Sequence, residues 1–345
     1  MITSKDIKEA ALRMGADIVG IGSIDRWATA PIQMDPKQIM PRAKSVIAMG
    51  FRVLRGSLRG VEEGTYFSNY SAMGYGGITY VYMPMTVINL SKMIEDAGYE
   101  AVPMGHQSDW RAIDNVGYFR EDYSRPIAPD KAAPDVMISL RMAGFLCGLG
   151  EIGYSKMLLT PEFGPRVRIG IIITELELEP DPIMEPGTLC NKCMACVRGC
   201  PGGCIPADRT IKTNAGGYDL EWADVDMFKC DDTFKGAVKL PDGEKGDYLD
   251  YTDQYTHSSI SPFNHKPVSV YKTGQAVCGA NGCTRACMIS LEKRGVLKNK
   301  FHSEFRTNKP WKVDWSQPPF DNGYVPPYEG LDSPNTRRDM KSDAD

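Results

Sequence analysis

Between residues 190 and 201 the chain reads Cys190-Asn-Lys-Cys193-Met-Ala-Cys196-Val-Arg-Gly-Cys200-Pro201, a C-x2-C-x2-C-x3-C-P run. Three thiolates at this spacing reach three irons of one cubane cluster. The fourth, three residues further on and followed by proline, is directed to a second cluster. The run therefore predicts two [4Fe–4S] clusters, whose remaining ligands must come from elsewhere. Cys278-x4-Cys283-x3-Cys287 supplies a second group, and Cys230 stands alone between the two. Structural zinc is the competing use of clustered cysteines. Its sites pair C-x2-C units across a long gap, whereas three overlapping units crowd one tetrahedral ion.

In two-cluster ferredoxins the ligand sets interleave. Cys190, Cys193 and Cys196 take the first cluster, with Cys287 as its fourth ligand. Cys200 crosses to the second cluster and joins Cys278 and Cys283. Cys230 is the choice for the last iron. Its competitor, Cys204, lies one helical turn from Cys200, so the two do not easily meet one cubane. Cys147, in an apolar stretch, reads as a buried structural thiol. Adjacent clusters conduct single electrons, and such a wire needs a terminus. The glycines of Gly74-Tyr-Gly76-Gly77 lack the G-x-G-x-x-G spacing of a dinucleotide loop. The terminus is a cofactor whose binding leaves no short motif, or a partner protein.

The elements that must position these groups can be read around them. The 345 residues suffice for two domains, and 42% hydrophobic with 24% charged residues is ordinary for a globular protein. A net charge of −4 gives no sign of a nucleic-acid or anionic-membrane partner. No apolar run approaches the ~18 residues of a membrane span. The N-terminal Met1-Ile-Thr-Ser-Lys-Asp carries neither an apolar signal core nor a twin-arginine pair, which predicts a cytoplasmic protein. Nine of the ten cysteines follow residue 189, and seven fall into the two cysteine groups, so metal binding in a reducing compartment fits better than disulfides.

Residues 1–184 read as an α/β domain. Thr3 and Asp6 form a capping-box-like start, Ile7, Ala11, Leu12 and Met14 a helical face, and Gly15 its end. Asp17–Gly22 and Ser45–Gly50 read as buried strands, Met85–Ala97 and Val136–Leu149 as helices, and the stretch around Val167 to Ile173 as a long, apolar strand. The proline-rich segment Glu179–Pro186 reads as a linker to the cysteine domain, 185–307. That domain holds a loop-rich insertion at about 205–275, and an irregular tail follows at 308–345.

The block from Gly148 through Glu151, Gly153, Lys156, Thr160, Glu162, Gly164, Pro165, Arg166 and Arg168 (GLGE…TPEFGPRVR) resembles corrinoid-dependent reductive dehalogenases. So does its continuation through Thr174 and Pro180 to the cysteine run. The epoxyqueuosine reductases are wider relatives. The resemblance covers roughly residues 80 to 290. It implies an α+β chain: a nitroreductase-like domain that holds cobalamin base-off, followed by a ferredoxin-like double-cluster domain. The implied activity is an oxidoreductase in which electrons from a donor such as ferredoxin or flavodoxin pass through two [4Fe–4S] clusters to cobalt. A small organohalide, or another electrophile, is then reduced.

The resemblance also implies site residues. A proton-donating tyrosine precedes a helix that ends in Gly-Tyr. Here that pair is Gly98-Tyr99, which points to Tyr80, with Tyr82 as the runner-up. Lys156 and Arg166 are the candidate cations beside the phenol, since a basic group favours the phenolate. Arg166 is alternatively an ion-pair partner of Glu162. His106, after Gly105, could reach the upper cobalt face, and Gly153, Thr160 and Gly164 fall in the cofactor-binding block. The chain departs from the family where Met288 follows Cys287 and where four residues separate Cys278 from Cys283. The insertion Gln107–Ala133 matches nothing in the family; its Trp110, Tyr118, Phe119 and Tyr123 suit a lid over a substrate pocket. Asp135 is the nearest candidate for the proton donor of an epoxyqueuosine-type reductase. The competing functions are such a transfer-RNA-base reductase, which an acidic chain without basic clusters disfavours, and a non-catalytic carrier that reduces a separate corrinoid protein.

Overall fold

The computed structural model describes residues 2–63, 66, 69–106, 125–134, 136–227, 230 and 282–305. The chain divides into Met1–Asn308 and Lys309–Asp345. The second unit, with the expected tail, lies outside the described residues, as do Cys278, Asp135, and Trp110, Tyr118, Phe119 and Tyr123 of the expected lid.

Helix α1 (Ser4–Arg13) starts as its sequence predicts. The Thr3 hydroxyl accepts the Asp6 N–H, the Asp6 carboxylate accepts the Thr3 N–H at 2.9 Å, and that exchange lowers the Asp6 pKa. Ile7, Ala10 and Ala11 form its buried face, and Gly15 turns away at φ +117°. Strand β1 (Ile18–Ser23) follows, then β2 (Ser45–Arg52), the short α2 (Arg59–Glu63), a π-helix over Tyr70–Tyr82, α3 (Met83–Asp96) and β3 (Ala101–Met104).

Helix α4 spans Leu140–Leu146, half the length its apolar composition suggests. The Ser139 hydroxyl caps its start by accepting the Met142 N–H at 3.4 Å, and Gly148 ends the turn at φ +80°. The short strands β4 (Glu151–Ile152) and β5 (Leu158–Leu159) pair antiparallel, and β6 (Val167–Thr174) is long. Beyond it lie α5 (Ala195–Gly199), β7 (Thr210–Ala215), β8 (Tyr218–Ala223) and α6 (Cys283–Lys293). The β7–β8 hairpin occupies the first part of the expected insertion. Its two-residue turn is Gly216-Gly217, both at positive φ, as a twist-matched hairpin requires.

The main sheet has the order β1-β2-β6-β3 and every neighbour is antiparallel. With helices on its faces the chain is mixed α and β. Strands β2 and β6 are covered on both sides. Val46, Ala48, Ile171 and Ile173 enter one core with Phe145, Leu146 and Trp222, while Ile47, Met49, Phe51 and Ile172 enter another with Ile7, Val87, Leu90 and Ile94. That two-sided burial accounts for the almost unbroken apolar run in each strand. A Cβ on Gly20 would lie 2.1 Å from the Cys147 carbonyl oxygen, so glycine lets the end of α4 lie flush on β1.

The expected linker is pinned. Asp181 accepts the Ile21 N–H at 2.9 Å, returns its own N–H to the Ile21 carbonyl at 2.8 Å, and pairs with Lys8. The chain is thus fixed along the edge of β1 before it reaches the cysteines.

Candidate functional site

The cysteine run starts at Glu151, whose carboxylate is fully buried. It accepts the N–H of Gly187 at 2.5 Å, of Leu189 at 2.7 Å, and of Cys190. Lys192 and Met194 then adopt left-handed conformations at φ 52° and 57°. Such φ values are uncommon for side-chain-bearing residues, and here they fold the run around its own interior. Cys190, Cys193 and Cys196 come to line one cavity, which Cys287 of α6 completes.

The four thiols feel one another. Burial first, then Cys190 and Cys193, push the Cys196 thiol up to about 11. Cys287 is raised by burial and then by Cys190 and Cys196. Cys193 is the exposed member. Burial works upward there too, but the Ser290 hydroxyl at 3.3 Å, the Ala195 N–H and the charges of Arg294 and Arg198 bring its net shift downward. The Tyr154 N–H points at Cys190 Sγ from 3.3 Å.

Cys200 and Cys283 pack in one apolar cluster with Cys196 and Cys190. Burial and then Cys200 raise the Cys283 thiol. Cys204 is 2% exposed, and its N–H points at Cys200 Sγ from 3.3 Å. Its carbonyl accepts the Asp226 N–H, and the Asp226 carbonyl accepts the Cys230 N–H, so Cys204 and Cys230 are two backbone links apart. Cys147 is fully buried, its thiol 3.3 Å from the Val46 carbonyl and its pKa pushed up by burial. Among the described residues no three His, Cys, Asp or Glu side chains gather closely enough around one point to hold a single metal ion.

A second cavity, of about 320 Å³, is lined by His106, Ser139, Arg141, Ile152, Lys156 and Trp222, with apolar neighbours from Met137 to Met142. Arg141 presents an exposed side chain to it and donates to the Lys156 carbonyl at 3.3 Å. The protein around Arg141 lowers its pKa, Cys283 and then Cys230 oppose that shift, and Arg168 adds to it. Lys156, held at φ 62° in the β4–β5 turn, is lowered by burial and by Arg141. Burial first and Arg168 second lower the His106 pKa, which favours the neutral imidazole. The buried Trp222 Nε1 has no hydrogen-bond partner among the described residues, an unused donor on the wall of an open cavity.

The tyrosines separate. Tyr80, 36% exposed, faces His106 with ring centroids 5.4 Å apart, and its hydroxyl lies 3.0 Å from that of buried Tyr75. Tyr82 packs edge-on against Phe51 at 6.0 Å, with its hydroxyl beside Gly15, on the α1 side of the domain.

The two expected cations also part company. Lys156 lines the cavity with His106. Arg166, 1% exposed, turns away from it and donates to the Val53 carbonyl at 2.5 Å and the Asn299 side chain at 3.1 Å; burial lowers its pKa to about 10. Glu162 pairs with Lys298 at 2.7 Å. The cation at the tyrosines is Arg168. It donates to the Tyr70 hydroxyl at 2.8 Å and lies 4.6 Å from the Tyr75 ring centroid.

Gly153 lines the cysteine cavity. Thr160 and Gly164 bridge to each other in a loop that packs on α6, where a Cβ at Gly164 would meet Leu291 at 2.9 Å. Sequence reasoning missed Arg168, Arg141, Tyr75, Trp222 and the clamp at Glu151. Arg168 and Glu151 stood in the recognised block, but nothing in the block distinguished them from their neighbours.

No family model matches the chain. A tetrachloroethene reductive dehalogenase of Desulfitobacterium hafniense is 30% identical over 230 residues, which are 61% of this chain and 39% of that protein. An epoxyqueuosine reductase of Listeria monocytogenes is 40% identical over 58 residues, 17% of this chain and 15% of that protein. Among solved structures, a reductive dehalogenase whose study concerns B12-dependent dehalogenation aligns with 68% of this chain and 30% of its own, at 20% identity and a TM-score of 0.45. The chain is thus similar in sequence to reductive dehalogenases and, over a short stretch, to an epoxyqueuosine reductase. It spans less than half the length of the curated relatives it matches.

Proposed function

We propose that this chain is a corrinoid- and iron–sulfur-dependent reductase of the reductive-dehalogenase type. On this reading residues 1–184 hold cobalamin and 185–307 hold two [4Fe–4S] clusters. Substrate is a small organohalide or a similar electrophile. The observation that carries it is the cavity wall shared by Arg141, Lys156 and His106, with the His106 ring 5.4 Å from that of Tyr80 and Arg141 within electrostatic reach of Cys283. A chain that takes electrons in at sulfur-bound iron and gives them to a substrate beside a proton donor needs such groups within reach of one cavity.

The donor set fits both kinds of cofactor. Four thiols on one cavity, met by an amide N–H and a hydroxyl, suit a cubane whose sulfur ligands accept hydrogen bonds. Cys200 and Cys283 would serve the second cluster, with Cys278 and Cys230. Arg141, Lys156, His106 and the unused Trp222 N–H would hold the polar periphery of a corrinoid. Bound cobalamin would supply reduced cobalt as the substrate's electron source. Tyr80 would then give its proton to the carbon that loses halide, and Arg168 would favour the phenolate left behind. The cysteine pattern suits a reducing, cytoplasmic setting, and a one-electron carrier protein such as ferredoxin or flavodoxin would be the donor.

The test is anaerobic reconstitution with iron, sulfide and cobalamin, followed by ultraviolet–visible spectra and halide release from a panel of chlorinated and brominated compounds. Base-off corrinoid bands with halide release are expected, and Tyr80→Phe should lower turnover by roughly 10²–10⁴. Cluster absorbance without corrinoid uptake would overturn the reading in favour of an electron carrier. Corrinoid uptake without halide release from any compound would overturn the dehalogenase assignment.

A further inference from the structure

We infer that Tyr75 is a positioning residue for Tyr80, the two phenols sharing one proton on a face that only the π-helix can build. This rests on the reading of Tyr80 as proton donor. The helix over Tyr70–Tyr82 closes i→i+5 hydrogen bonds, as in Met83 N–H to the Ile78 carbonyl. Such bonding widens the turn to between four and five residues, so residues five apart lie near one another on the helix surface, and here those residues are Tyr70, Tyr75 and Tyr80. In an α-helix, five residues at 3.6 per turn would turn each tyrosine about 140° from the last and scatter the three. Glycine permits the wider coil. A Cβ on Gly76 or Gly77 would lie 3.0 Å from the carbonyl oxygen five residues before it.

The result is a graded ladder. Tyr70 is 3% exposed, Tyr75 7% and Tyr80 36%. Arg168 donates to the Tyr70 hydroxyl at 2.8 Å and covers the Tyr75 ring at 4.6 Å. Tyr75 and Tyr80 meet edge to face, centroids 5.7 Å apart at 82°, with their hydroxyl oxygens 3.0 Å apart. His106 closes the side, its ring 6.4 Å from Tyr75 and 5.4 Å from Tyr80. Arg168 from β6, His106 after β3 and Tyr70 all lie against the pair or against each other. The nearby Arg285–Glu62 and Arg55–Glu292 ion pairs are neutralised internally.

The chemistry follows from charge. Two electrons, which a bound reduced corrinoid would supply, would enter the carbon–halogen bond as the halide leaves, and the carbon would take the Tyr80 proton. The new phenolate oxygen accepts the Tyr75 O–H, with the Arg168 cation against the second ring. One proton from water then restores the pair. A hydrogen bond donated to the charged form stabilises it, so the first ionisation of the pair falls and the second rises.

The test is pH titration, by NMR, of the cluster-loaded chain carrying tyrosine labelled with ¹³C at Cζ. The wild type should show one phenol ionising below the ordinary value near 10 and a partner above it. In Tyr75→Phe the Tyr80 signal should return toward that value, by about one unit or more. Tyr80→Phe should release Tyr75 in the same way. If Tyr75→Phe does not fold, Tyr80→Phe measures the same coupling from the other side. A Tyr80 titration unmoved by Tyr75→Phe, or a Tyr75 titration unmoved by Tyr80→Phe, overturns the pair. A fully active Tyr80→Phe enzyme would instead remove the proton-donor reading while leaving the measured coupling intact.

Discussion

The buried Glu151 carboxylate accepts the backbone N–H of Cys190, and in doing so ties the α/β part of the chain to the first thiol of the cysteine run. The same two oxygens hold Gly187 and Leu189. A carboxylate accepts at every lone pair, which is why Glu and not Gln suits three converging N–H groups.

Glu151→Gln should therefore cost more than its shape suggests. The new NH2 faces a donor, and at least one buried N–H loses its acceptor, at about 1–3 kcal/mol. A lower melting temperature and a lower iron content are expected, since the loop carrying Cys190 loses its anchor. Glu151→Asp should restore part of both. Iron content at the wild-type level in Glu151→Gln would show that the clamp does not set the thiol's position.

Counting iron tests the ligand assignment. About eight irons and eight sulfides per chain are expected from the double pattern. Cys230→Ala should lower the count or leave a three-iron cluster, and Cys204→Ala should do neither. The backbone links through Asp226 place these two cysteines close in the fold, so the experiment decides between neighbours. The reverse result would make Cys204 the ligand. A count near four would remove the second cluster.

What was legible in the sequence was whatever repeats at a familiar period or sits at a fixed spacing. The capping box at Thr3, the strand from Val167 and the helix ending before Gly98 all have such signatures. Cys190, Cys193, Cys196 and Cys287 line one cavity, although Cys287 is far away in sequence. Tyr75 was not legible, because a repeat of five belongs to neither an α-helix nor a strand. Arg166 and Arg168 sit two apart in one motif, and the strand beginning between them sends one into the interior and the other toward the tyrosines. No local pattern separates them, since the outcome depends on Val53, Asn299 and Tyr70, which reach the site from three distant segments.

The two arginines give the sharpest mutational contrast. Arg168→Gln removes the cation beside Tyr75 and the donor to Tyr70, and its side chain is only partly buried. The fold should persist while turnover falls by roughly 10–10², the order expected when a charge that favours a phenolate is lost. Arg168→Lys should not rescue fully, because a point charge neither stacks on a ring nor reaches two partners as a planar fork does. Arg166→Gln acts on the other term. It leaves the Val53 carbonyl and the Asn299 side chain without their buried charged donor, at about 2–4 kcal/mol of stability. The melting temperature should drop, while the folded fraction keeps its turnover. Thermal unfolding and halide release measured on the same preparations separate the two effects. A stable but inactive Arg166→Gln protein, beside an active Arg168→Gln one, would reassign the cation to Arg166 and detach Arg168 from the chemistry.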